Sequence, residues 1–173
     1  LDVSNAVDFD DLLLKTFILF NDHKYVLDKY SDRFNYIQID EFQDTNTSQY
    51  ALTKQLSGKH KNICVVGDPD QSIYSWRNAD IRNILNFQSD YPAAKVVALE
   101  QNYRSTGNIL QAAKTLIASN GIRVEKDLFT DNDAGELLTV HEAYDEGEEA
   151  EFVISEINRL VQSEGVRQGD CGR

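Results

Sequence analysis

The sequence predicts an α/β fold: a parallel sheet with helices on both faces. Two observations carry that prediction. Short apolar segments of strand length alternate with longer segments of helical periodicity, the pattern of a parallel sheet with crossover helices. The polar clusters Asp40-Glu41, Gly67-Asp68 and Glu100 to Arg104 fall at the carboxyl ends of the apolar segments, where ligands gather in such folds.

From Asp8 to about Asn21, Phe9, Leu12, Leu13, Phe17 and Phe20 recur at helical spacing, predicting a helix. A second helix is expected over His23 to Tyr30. Tyr36 to Ile39 alternates as a strand and ends at Asp40-Glu41. Thr47 to Leu56 reads as a helix with Gly58 as its stop. Asn62 to Val66, apolar from Ile63 onward, reads as a strand of the kind buried on both faces and places Cys64 in the core. Asp80 to Gln88 is helical and Pro92 closes it. Lys95 to Leu99 is a third strand. Ser105 is the expected N-cap of a helix running to about Ser119, with Gly121 as its stop. Polar, acidic sequence between Asn120 and Gly135 marks a compositional break. A strand over Leu137 to Ala143 follows. A helix over Glu146 to Gln162 then presents Phe152, Ile154, Ile157, Leu160 and Val161 on one face.

The 173 residues suffice for one domain, or for one and part of another. No apolar run reaches the roughly 18 residues that span a bilayer; the longest, Leu12 to Phe20, is interrupted by Lys15 and Thr16. No leader-like segment opens the chain, which starts without Met. Cys64 and Cys171 are too far apart to form a metal-ligand cluster, and the cytoplasm is the default compartment. The formal net charge of -12 argues against an autonomous nucleic-acid binder, because phosphate contact needs Lys and Arg. An acidic solubilising surface is the simpler reading.

A strand that delivers Asp40 and Glu41 to its tip suits Mg-nucleotide hydrolysis. One carboxylate can hold Mg2+ through water and the next can orient and deprotonate a water. A solvated strand end has the same appearance. Longer runs discriminate. Asp40-Glu41-Phe42-Gln43-Asp44-Thr45-Asn46 resembles motif II of the UvrD/PcrA/Rep superfamily 1 DNA helicases. The run from Val66-Gly67-Asp68-Pro69-Asp70-Gln71 through Trp76-Arg77 resembles their motif III. Leu99 to Ser105 resembles their motif IV. Asp8 to Leu13 is similar to a segment preceding motif II. All four stand in family order and at family spacing, covering most of Asp8 to Ser105.

The resemblance implies a RecA-like fold and a function: Mg-ATP hydrolysis coupled to 3′ to 5′ movement on single-stranded DNA and to unwinding at duplex junctions, in repair or replication. It implies Mg2+ at Asp40 and a general base at Glu41. It implies a γ-phosphate sensor at Gln71, whose amide both donates and accepts, and an arginine finger at Arg104. Tyr103 would stack on adenine. Trp76 would stack on bases, with Arg77 close by; such stacking tolerates any sequence and contributes about 1–3 kcal/mol per base. Phe9 would border the DNA track. Each residue also has a structural reading: Gln71 in a surface turn, Arg104 in a salt bridge, Tyr103 and Phe9 in the core, Trp76 as a loop anchor.

No GxxxxGK[ST] loop occurs in the chain. By the resemblance it precedes Leu1, residues 1–99 complete a first motor domain, and residues 100–173 begin a second. The sheet is then incomplete at both ends. An edge is left open to self-association, and this chain alone is expected to lack ATPase activity. A RecB/AddA-like helicase-nuclease shares these motifs, and a nonenzymatic scaffold fragment is the reading from another class.

Overall fold

A computed structural model describes residues 6–121, 123–124 and 126–171. The element order is α1 (Phe9–Asp22), α2 (Lys24–Arg33), β1 (Ile37–Ile39), α3 (Thr47–Ser57), β2 (Ile63–Val65), α4 (Arg82–Leu85), α5 (Phe87–Asp90), α6 (Gly107–Ile117) and α7 (Glu146–Ser163), with short 3-10 turns between. The fold is therefore α/β, with a small parallel sheet.

Helix α1 starts where Asp8 caps it. The Asp8 carboxylate accepts from the Asp11 amide at 2.8 Å while the Asp11 side chain accepts from Asp8 N–H, satisfying two amides that the first turn leaves open. Asn46 does the same for α3 with Gln49. Helices α1, α2 and α3 pack together around Phe20, Leu27 and Tyr50, all buried. Phe42, fully buried, carries the packing to the strand tips: its ring meets Tyr50 and Phe87 edge-on at 5.5 and 5.6 Å, an arrangement aromatic quadrupoles favour.

Strands β1 and β2 pair in parallel with Ile37 opposite Ile63, Gln38 opposite Cys64 and Ile39 opposite Val65. Alternation puts the four Ile and Val side chains on one, half-buried face and Gln38 with Cys64 on the other, exposed face. This corrects two expectations. Helices do not cover both faces of this sheet among the described residues, and Cys64 is exposed rather than in the core. Two further expected strands do not form. Among the described residues Lys95 to Leu99 and Leu137 to Ala143 have no ladder partner, and Val96, Val97, Leu99, Leu137 and Val140 are exposed. An apolar segment becomes a strand only when another supplies its hydrogen bonds.

The expected helix over Asp80 to Gln88 is broken at Asn86 into α4 and α5. Phe87 there turns to stack on Tyr91 at 4.7 Å as well as to meet Phe42. The N-cap of α6 is Thr106 rather than Ser105. Its side chain makes no cap bond; the carbonyls of Asp133 and Ala134 accept from Gly107 and Asn108 instead, each at 2.9 Å. Gly135, with φ +75°, makes that approach: a Cβ there would sit 2.4 Å from Thr106 Oγ1. Among the described residues no helix is long and apolar enough to cross a membrane.

Candidate functional site

The site grows from the carboxyl ends of β1 and β2. At the tip of β1 the Glu41 N–H donates to Asp40 Oδ1 at 2.9 Å. Glu41 itself adopts a left-handed backbone, φ 49° and ψ 43°, an uncommon conformation for a side chain of this kind. That turn leaves both carboxylates exposed and sends Phe42 and Gln43 inward.

Gln43 is 1% exposed and ties the two strand tips together. Its Nε2 donates to Glu41 Oε2 at 2.8 Å, and its Oε1 accepts from the Asp68 N–H, beyond β2, at 3.0 Å. Asp68 Oδ2 then accepts from Gln71 Nε2 at 2.8 Å, and Asp68 Oδ1 accepts from Asp70 N–H at 3.0 Å. A continuous hydrogen-bonded chain thus runs Glu41–Gln43–Asp68–Gln71. Gly67 makes it possible. A Cβ at that position would lie 2.5 Å from Gln43 Oε1 and 2.9 Å from Ile84 Cδ1, so a side chain would displace the glutamine. Thr45 O fastens the far side, accepting from Asp80 N–H at 3.0 Å and from buried Asn83 Nδ2 at 2.9 Å.

Two cations close on this loop from the later part of the chain. Lys126 Nζ bonds Asp68 Oδ1 and lies 3.2 Å from Asp70 Oδ2; Arg123 Nη2 lies 3.5 Å from the same Asp70 oxygen. Burial pushes the Asp68 carboxyl up, but the hydrogen bonds from Lys126 and Gln71 and from the Asp70 amide outweigh it. The net value falls below the usual carboxylate range.

Trp76 lies on a 3-10 turn, Ser75–Arg77, that Asn78 ends in a left-handed conformation. Its ring is 70% exposed, with the Arg77 guanidinium 4.4 Å from its centre and Tyr74 6.3 Å away. This is an open aromatic and cationic surface, not a buried anchor. Phe9, at the start of α1, is 88% exposed and not a core residue.

Asn102 shapes the segment around Tyr103 and Arg104, its Oδ1 accepting from Arg104 N–H at 2.9 Å and Ser105 N–H at 2.7 Å. The Tyr103 hydroxyl donates to Gln101 Oε1 at 2.6 Å while its ring stays 78% exposed. Arg104 is exposed. Among the described residues, no hydrogen bond or ion pair joins Phe9, Trp76, Tyr103 or the Arg104 side chain to Asp40, Glu41 or Gln71. Hydrogen bonds therefore link Glu41 to Gln71 through Gln43 and Asp68, with Asp40 beside Glu41, and Arg77 lies over Trp76; among the described residues none of these contacts extends to Phe9, Tyr103 or the Arg104 side chain. Gln43, Asp68, Arg123 and Lys126 were given no individual role from the sequence. Gln43 and Asp68 stand within the quoted motifs; Arg123 and Lys126 carry no local signal.

The described residues contain no group of three or more His, Cys, Asp or Glu arranged to hold a metal ion. Asp40 nonetheless offers hard oxygen in an exposed setting, with Oδ1 held by the Glu41 amide. That suits Mg2+, which keeps several waters and takes one or two carboxylates.

Known proteins match the chain along nearly its whole length. The model of the UvrD/REP helicase N-terminal domain matches residues 1–92. That of the UvrD-like helicase C-terminal domain matches residues 97–171. An ATP-dependent DNA helicase PcrA from Staphylococcus epidermidis is 53% identical over 160 residues, 92% of this chain and 22% of the relative. One from Staphylococcus aureus is 54% identical over 154 residues, 89% of this chain and 21% of the relative. The chain thus spans about a fifth of the length of these relatives. With its motifs at the strand tips and a family match across more than half its length, the chain belongs to the UvrD/REP helicase family.

Proposed function

We propose that this chain is the middle of an ATP-driven DNA motor. Residues up to Leu99 belong to a first RecA-like domain and residues from Glu100 to a second. The observation that carries the reading is the hydrogen-bonded chain Glu41–Gln43–Asp68–Gln71 across the carboxyl ends of two parallel strands, the ligand position of such sheets.

In this reading Glu41 is the general base. Its exposed carboxylate is oriented by one Gln43 N–H and remains open to accept a proton from water. Asp40 carries the Mg2+ of Mg-ATP, which supplies the phosphoryl group and charge to offset negative charge on its oxygens. Gln71 directs its amide at the γ-phosphate. Arg104 reaches the same group from the second domain as an arginine finger, and the open face of Tyr103 takes the adenine. Trp76 and Arg77 grip single-stranded DNA, with Phe9 at the border of the track. The loop between Gln71 and Trp76 is short, so a change at one end is felt at the other. The motor moves 3′ to 5′ and opens duplex junctions. The low count of cations, 17 against 29 acids, fits a DNA track completed by the rest of the protein.

Replacement of Glu41 by Gln in the full-length protein tests the reading. Glutamine keeps the shape and removes the base. DNA-stimulated ATP turnover is expected to fall by roughly 10²–10⁴-fold, with single-stranded DNA binding retained. Undiminished turnover would reject Glu41 as the base.

A further inference from the structure

We propose that Lys126, with Arg123, is a positioning residue for Gln71, forming a clasp that reports the placement of the second half of the chain to the nucleotide site. The inference rests on the role given to Gln71 above.

The geometry is direct. The Asp68 carboxylate has one oxygen on Gln71 Nε2 and the other on Lys126 Nζ. Where Lys126 holds that carboxylate, the Gln71 amide follows. Asp70, 6% exposed at its side chain, is the second acid of the clasp, and Lys126 and Arg123 are its partners. Lys126 is 58 residues beyond Asp68 and Arg123 is 53 beyond Asp70, so no local turn brings them together.

Lys126 is tied to the motif IV segment. The Asp127 N–H donates to Glu100 Oε1 at 3.0 Å, Phe129 N–H donates to Glu100 O at 3.0 Å, and Asn102 N–H donates to Phe129 O at 2.7 Å. Lys114 of α6 donates to Leu128 O at 2.9 Å. Lys126 therefore travels with the strip that carries Tyr103 and Arg104. A movement of that strip relative to β2 pulls on Asp68 and, through it, on Gln71.

The clasp is balanced in charge, two acids against two bases, yet it is not saturated. Among the described residues, Asp70 Oδ1 and Arg123 Nε are buried without a hydrogen-bond partner. A purely structural buried ion pair satisfies its remaining atoms, because unpaired ones are costly. Open valences beside formed ones suit a contact that exchanges partners between two placements of the halves. That is the physical requirement for coupling.

The test uses the full-length protein and single-stranded DNA, measuring kcat and KM for ATP. Lys126→Ala is expected to lower kcat about tenfold while KM changes within about twofold, and Lys126→Arg to recover most of the loss. Introduced into a Gln71→Ala background, Lys126→Ala adds no further loss, because both changes disable one unit. Thermal unfolding is followed in parallel; if the alanine variant does not fold, Lys126→Gln replaces it throughout. Losses that multiply in the double variant would overturn the clasp, as would an unchanged kcat for a folded single variant. If Gln71→Ala alone leaves turnover intact, the sensor role of Gln71 falls and the inference falls with it. If Gln71→Ala is impaired and the Lys126 variant is not, the inference alone fails.

Discussion

Gln43 shows how much one side chain can decide. It is buried, it is polar, and both ends of its amide are used: Nε2 on Glu41, Oε1 on the Asp68 N–H. Removing this amide takes the acceptor from the part-buried Asp68 N–H, and a buried group left unpaired costs about 1–3 kcal/mol. Gln43→Ala is therefore expected to destabilise the protein by roughly 2–4 kcal/mol, the stranded group plus the vacated volume, measured by chemical denaturation. It should also lower DNA-stimulated turnover, since Glu41 loses its orienting donor. A Gln43→Ala protein as stable as the parent would show the amide to be dispensable. The sequence places this residue in the motif II run but does not reveal that it bridges two strand tips. Its partner Asp68 is 25 positions away, and neither periodicity nor composition reports a contact at that range. Asp40, Glu41, Gln71 and Trp76 could be named from the sequence because the resemblance gives each a role within a local run, whereas it gives Gln43, in the same run as Asp40 and Glu41, none.

Among the elements, legibility followed the range of the interactions. Helices α1, α2 and α3 were readable because caps and periodicity act within a few residues. Asn46 illustrates it: its side chain accepts from Gln49 N–H at 2.9 Å and the Gln49 side chain returns the bond. Asn46→Ala removes that box and should cost about 1 kcal/mol, seen as a lower unfolding midpoint, while Thr47→Ala, one position on, should cost far less. Equal costs would mean that α3 does not depend on its cap. Strands behaved differently. The apolar pattern of Lys95 to Leu99 reveals a preference for burial but not a partner, and none is paired with it among the described residues. The break at Asn86 was equally hidden, because it answers to Phe42, a residue 45 positions earlier that Phe87 packs against.

For the whole molecule, what is uncovered matters as much as what is packed. The Gln38–Cys64 face of the sheet is bare, and Phe9, Leu99, Leu137 and Val140 are each more than three-quarters exposed. Uncovered large apolar side chains and unpaired strand edges both recruit other chains. The 173-residue chain by itself is therefore expected to self-associate with rising concentration in sedimentation velocity, and to show no ATP turnover with or without single-stranded DNA. A monomer at all concentrations would mean that the bare faces close on themselves. Steady turnover would mean that this piece holds a complete site.

The chain has a single tryptophan, and it stands in the open with a guanidinium over its ring. Trp76 is thus the sole indole emitter of this segment, placed where nothing in the segment's own core shields it. Its fluorescence carries the signature of one loop, so the arrival of a nucleobase on that surface, or the departure of Arg77 from it, changes the colour and intensity of the chain as a whole.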